Sequence, residues 1–176
     1  DLPYTGQAQE LVTVGTATGG HIEYALDSGS YGKDIPKATA AGTYTVTYKV
    51  VGDGNHADDP TVGSVTVTIK PKQVASPKIT VTGTYTYDGT EQKPTGTAVT
   101  VEDATTAIPA SEYTLSYQNN TNAGTATVIV TDNNGGNYTV NGTVTFTIGK
   151  AAATVGTAPT GKTDLHYNGS AQELLA

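Results

Sequence analysis

The chain has 176 residues, room for one large domain or two small ones, and a formal charge of −7. So acidic a chain offers no basic stripe for nucleic-acid phosphates or an anionic membrane surface. Cys, Met and Trp are absent, which excludes disulfides, thiolate metal sites and thiol nucleophiles, while 34 Thr and 21 Gly against 36% hydrophobic residues give the profile of thin, half-exposed β-sheet.

The first predicted element is a strand and turn at Leu2-Pro3-Tyr4-Thr5-Gly6. It fits LPxTG, the pattern sortases cleave when they anchor proteins to Gram-positive cell walls. A sorting signal needs an apolar tail and basic residues directly behind it, and here a long polar chain follows. Tyr4-Thr5-Gly6-Gln7-Ala8-Gln9 recurs as Tyr87-Asp88-Gly89-Thr90-Glu91-Gln92 and as Tyr167-Asn168-Gly169-Ser170-Ala171-Gln172, so what persists is Tyr-x-Gly. The anchoring reading therefore gives way to a strand with an inward Tyr, closed by a turn whose Gly takes a φ that a Cβ would resist.

Further along, Gly19-Gly20 marks a turn. A strand over 43–50 puts Tyr44, Val46, Tyr48 and Val50 on one face, expected to be inward, with Thr43, Thr45, Thr47 and Lys49 on the other. Gly52-Asp53-Gly54-Asn55 is the next turn, and a strand over 63–70 puts Val65, Val67 and Ile69 on one face. Lys70-Pro71-Lys72 is a short joint, and 73–84 reads as the first strand of the following repeat. Tyr113, Leu115 and Tyr117 alternate with polar residues. Ala123-Gly124-Thr125-Ala126-Thr127-Val128 then repeats Ala41-Gly42-Thr43-Tyr44-Thr45-Val46. After the turn Asn133-Asn134-Gly135-Gly136, a strand over 143–148 carries Val144, Phe146 and Ile148 inward. Gly149-Lys150 closes it, and 151–163 stands where 73–84 stood. No helical stripe interrupts this pattern.

The chain is thus predicted to be all-β, with tandem small antiparallel β-sandwich (Ig-like) domains arranged as an elongated rod. Repeat one covers 1–71 and lacks its first strand; repeat two covers 72–149; 150–176 is the truncated start of a third. With no Met in the chain, residue 1 does not read as a natural start, so the sequence is expected to be a processed or an excised piece, and no apolar run is long enough to span a bilayer.

Tyr87-Asp88-Gly89, the run Tyr113–Val128, Gly136-Asn137-Tyr138 and Val144-Thr145-Phe146-Thr147-Ile148 together resemble the tandem bacterial immunoglobulin-like repeats (the MBG and YDG types) of large surface proteins. The likeness covers most of the chain, and repeat one looks like a diverged cousin. It implies a structural, non-catalytic role as a stalk or adhesin module of a secreted or wall-attached bacterial protein, Gram-positive and extracellular, with no catalytic residues to transfer.

Candidate sites are few. Asp53, Asp58 and Asp59 offer hard oxygen ligands suited to Ca²⁺, but without EF-hand spacing, so the competing reading is a polar hairpin loop. His21, His56 and His166 fall at three different repeat positions and read as surface residues. The glutamates, among them Glu23 and Glu112, stand in a Thr/Gly surface with no Trp to stack on sugar, which argues against glycoside hydrolysis. Tyr4, Tyr87 and Tyr167 repeat, as do Tyr24 and Tyr113 (each after a Glu), so packing is expected of them. Tyr31, Tyr85 and Tyr117 do not repeat and are the candidate ligand contacts. Lys49 lies on the Thr face, with no inward Asn and acid to form an isopeptide bond. No cofactor is expected. The partners expected are neighbouring repeats of the same chain; a glycan or host protein is the alternative. Residues 151–163 are the expected means of head-to-tail self-association by strand addition.

Overall fold

The computed structural model describes residues 1–175. Its first half contains β1 (Leu2–Pro3), β2 (Gln9–Glu10), β3 (Gly20–Leu26), β4 (Lys37–Ala38), β5 (Gly42–Gly52) and β6 (Gly63–Lys70). Its second half contains β7 (Lys72–Val74), β8 (Lys78–Val81), β9 (Tyr85–Thr86), β10 (Val99–Asp103), β11 (Thr106–Ala107), β12 (Tyr113–Gln118), β13 (Gly124–Asp132), β14 (Tyr138–Val140) and β15 (Gly142–Gly149). Two single 3₁₀ turns, Gly96–Ala98 and Ala110–Glu112, are the only helical pieces among the described residues. The all-β class follows from the Thr-rich, period-two sequence, and the several sheets are consistent with β-sandwich packing.

Among the described residues no strand pairs across Pro71. The first half builds a four-stranded sheet in the order β1-β6-β5-β3 beside the small pair β2-β4. The second half builds a four-stranded sheet in the order β9-β15-β13-β12, a three-stranded sheet β8-β10-β11 and the pair β7-β14. The two four-stranded sheets share one pairing scheme. Each is antiparallel except for a two-residue edge strand, β1 or β9, that runs parallel to the last long strand. In register, Leu2 faces Ile69 as Tyr85 faces Ile148, and Val46 faces Val65 as Val128 faces Val144.

The period-two faces decide which side chains go inside. In the second half, Ala126, Val128, Phe146 and Ile148 form one buried cluster, and Val74, Val101, Ile108, Tyr113, Val130 and Val140 form another. Strand β13 serves both. The first half has one thinner cluster around Leu11, Tyr24, Ala38, Val46 and Ile69. Each fully buried Val or Ile contributes about 1.5–3 kcal/mol.

Three expectations need correction. The stretch 73–84 is two strands rather than one. β7 runs parallel to β14, and β8 runs antiparallel to β10. The break, residues 75–77, contains Pro77, which lacks the N–H a ladder needs. Second, the face shared by Tyr44, Val46, Tyr48 and Val50 is not uniformly inward: Val46 is buried, Tyr44 and Val50 are half-buried, and Tyr48 is exposed. Val65, opposite Val46, is 43% exposed. The reason is that residues 11–19 form no strand, so nothing in the first half covers this end of the sheet as β8 and β10 cover its counterpart. Third, the repeated Tyr4, Tyr87 and Tyr167 do not all pack inward. Tyr4 is half-buried, whereas Tyr87 is 41% and Tyr167 96% exposed.

The turn behind each of those tyrosines does form three times. Gly6, Gly89 and Gly169 have φ of 77°, 85° and 74°. The middle residue's side-chain oxygen accepts the N–H two residues on: Gln7 to Thr5 Oγ1 at 3.3 Å, Thr90 to Asp88 Oδ1 at 2.8 Å, Ser170 to Asn168 Oδ1 at 3.0 Å. This is the local hydrogen bond that Asx and Ser/Thr turns use. The Gln of the motif closes the same loop, since Gln9 donates to the Pro3 carbonyl and Gln172 to that of His166.

Candidate functional site

Two features stand out: the joint between the halves, and a cleft in the first half. The joint begins with chain connectivity, for only Pro71 separates β6 from β7. Around it, the Tyr4 ring meets the Tyr138 ring edge-on, with centroids 5.4 Å apart. Burial and the neighbouring Tyr138 and Glu112 push the Tyr4 hydroxyl above its ordinary pKa. The Asn137 side-chain oxygen accepts the Ala41 N–H at 2.8 Å, a hydrogen bond from one half to the other. Glu112 holds Asn137 in place: its carboxylate accepts the Asn137 backbone N–H at 2.6 Å and the side-chain amide at 3.0 Å. Glu112 is only 8% exposed. A Cβ on Gly136 would lie 2.5 Å from Glu112 Oε2, which explains a glycine there without any special φ. Lys72, just past the joint, pairs with Asp103, and that carboxylate raises its pKa. Nothing in this set has a nucleophile next to a base. The Tyr4–Tyr138 contact and the Ala41–Asn137 hydrogen bond tie one half to the other across Pro71.

The cleft lies between the uncovered end of the β3-β5-β6 sheet and residues 12–16. Val12, Gly15, Ile22, Val46, Tyr48 and Val65 line it, and its volume is about 240 Å³. The Tyr24 hydroxyl reaches its rim and accepts the Gly15 N–H at 2.8 Å. The walls are mostly apolar, and no carboxylate pair converges on them.

The residues singled out from the sequence fall elsewhere. Asp53 accepts hydrogen bonds from Asn55 N–H at 2.9 Å and His56 Nδ1 at 2.7 Å. Asp58 takes the Gly52 N–H and Asp59 the Thr61 N–H. The three carboxylates thus brace the loop after β5 separately. His56, then Asn55, hold the Asp53 pKa below the usual carboxylate value, and Thr61 does so for Asp59. No group of three or more His, Cys, Asp or Glu stands ready for a metal among the described residues. His21 and Lys49 both face Glu23, at 3.7 and 3.4 Å. His166 lies in the exposed C-terminal stretch.

The three candidate contact tyrosines are not brought together. Tyr31 lies under the Lys49 ammonium, 4.7 Å from the ring centre. The Tyr85 ring packs edge-on against Phe146, and its hydroxyl donates to the Thr82 carbonyl. Tyr117 is half-buried and donates to the Pro94 carbonyl, and its pKa is raised chiefly by burial. The tyrosines most open to solvent are instead Tyr48, Tyr87 and Tyr167.

Sequence reasoning missed Glu112, Asn137 and the cleft. The one signal for the first was the repeated Glu-Tyr step at Glu23-Tyr24 and Glu112-Tyr113. Among the described residues no helix is long and apolar enough to cross a membrane. Compared with known protein families, with curated proteins and with solved structures, the chain matches none.

Proposed function

We propose that this chain is a non-catalytic structural region, a spacer or stalk of Ig-like repeats, in a secreted protein displayed on a bacterial surface. The observation that carries the reading is the joint. A one-residue connection, the Tyr4–Tyr138 contact and the Glu112–Asn137–Ala41 hydrogen bonds oppose bending between the halves, which is what a spacer requires and a flexible tether does not. The resemblance to bacterial immunoglobulin-like repeats supports the setting.

Small-angle scattering of the full chain tests it. Sandwiches built on strands of about nine residues at about 3.3 Å each are roughly 30 Å long, so two in line give a maximum dimension near 60 Å before the C-terminal stretch is added. A compact globule with the halves side by side would remove the spacer reading. Saturable binding of the full chain to one sugar class on a glycan array would replace it with the adhesin reading.

A further inference from the structure

The chain holds three Asn-Gly pairs, Asn134-Gly135, Asn141-Gly142 and Asn168-Gly169. Such a pair can react with itself, because glycine has no Cβ to keep its nitrogen away from the neighbouring side-chain amide. The fold treats the three differently. The Asn141 amide donates to Asp132 Oδ1 at 2.8 Å, and Gly142 opens β15 in so close a fit that a Cβ there would lie 2.7 Å from Ile79 Cδ1. The Asn168 side-chain oxygen accepts the Ser170 N–H at 3.0 Å. Asn134 and Gly135 are both exposed, and among the described residues nothing accepts the Gly135 N–H or bonds the Asn134 side chain. A Cβ on Gly135 would meet nothing within 4 Å, so the space around its nitrogen is open. A single hydrogen bond spans the pair, from the Gly136 N–H to the Asn133 carbonyl at 3.0 Å, closing a turn with Gly135 at φ 83°.

This turn is also where the second half meets the first. Gly135 and Gly136 line a crevice at the joint together with Ala41, Gly42 and Pro71. Gly136 has no room to shift toward Glu112, since a Cβ on it would lie 2.5 Å from Oε2. The next residue, Asn137, bonds both Glu112 and Ala41.

We propose that Asn134-Gly135 is a self-modification site whose product loosens the joint. The Gly135 backbone nitrogen attacks Asn134 Cγ. The new N–C bond closes a cyclic imide, and the side-chain nitrogen leaves as ammonia with the Gly135 proton. Water then opens the imide at either carbonyl. Opening at Cγ gives aspartate; opening at the main-chain carbonyl gives isoaspartate. The balance is one water consumed and one ammonia released, with no oxidant, metal or enzyme. Either product puts a negative charge on the turn that packs against the Glu112 carboxylate, and isoaspartate also adds a carbon to the main chain. The longer turn displaces Gly136 and draws Asn137 away from Ala41. The reaction needs only this turn, so it is independent of the spacer reading.

Ageing of the full chain at mildly alkaline pH, which favours loss of the Gly135 proton, tests it against a fresh sample. Peptide mass spectrometry combined with isoaspartyl-specific methylation is expected to find Asn134 converted and Asn141 intact in the same aged chain. Hydrogen exchange at Ala41 is expected to rise severalfold on ageing. It is expected to stay at the fresh value in aged Asn134→Gln, whose longer side chain closes a ring far more slowly. An Asn134 that persists, an Asn141 that converts as fast, a converted chain with unchanged exchange at Ala41, or an equal rise in Asn134→Gln overturns the proposal.

Discussion

Replacing Asn137 by Ala removes the side chain that links the halves. The backbone N–H of residue 137 still reaches Glu112, but two hydrogen bonds vanish: the amide donor to Glu112 Oε1 at 3.0 Å, and the acceptor of the Ala41 N–H at 2.8 Å. A neutral hydrogen bond is worth about 1 kcal/mol net and one to a carboxylate about 1.5–3. Water can enter beside the half-buried Ala41 and recover part of this, so the expected loss is about 2 kcal/mol, close to 30-fold in an opening equilibrium. The loss divides in space. The Glu112 share falls inside the second half, and the Ala41 share falls between the halves. Hydrogen exchange read by mass spectrometry on the full chain separates them, with faster exchange expected at Ala41 and at 112–113 and 138–140. Asn137→Asp keeps an acceptor for Ala41 but sets a second carboxylate against Glu112, so it should loosen the second half more than Ala does. If Asn137→Ala leaves both regions within twofold of wild type, the joint is not held by these hydrogen bonds.

Two further outcomes follow from the turns and their carboxylates. Gly89 has φ of 85°, and a Cβ there meets nothing within 4 Å, so Gly89→Ala should cost only the left-handed backbone strain of about 1 kcal/mol, and Gly89→Asn less. Chemical denaturation checks this, and an Ala variant as stable as wild type would mean the turn is not left-handed in solution. Asp53, Asp59 and Asp88 all have pKa values lowered by hydrogen bonds to the folded loop, chiefly from His56, Thr61 and Thr90 respectively. Depressed carboxyls stabilise the fold above their unfolded value of about 4, and the contribution fades as pH falls through the lower folded values. Carbon NMR titration should find all three below the ordinary Asp value; values at or above it would contradict the loop hydrogen bonds.

The class of fold was legible in the residues because alternation is local. Val144, Phe146 and Ile148 share a face in any strand, and the strand over 113–118 needs no distant information to point Tyr113 and Leu115 the same way. The split of 73–84 into β7 and β8 was not legible, since two different partners, β14 and β10, decide it. The site was hidden for a similar reason. Glu112 and Asn137 are 25 residues apart, and Asn137 and Ala41 are 96 apart, with no spacing rule to join them.

The three Tyr-x-Gly motifs separate the two kinds of information most clearly. Sequence alone determined the turn, because its hydrogen bonds run between residues two apart and its glycine φ depends only on the absence of a Cβ. It therefore forms alike behind Tyr4, Tyr87 and Tyr167. Tertiary structure alone decided their burial: Tyr4 meets Tyr138 from the other half, whereas Tyr87 and Tyr167 meet no such ring and stand in solvent. Burial depends on what arrives from elsewhere in the chain, and no local pattern carries that information.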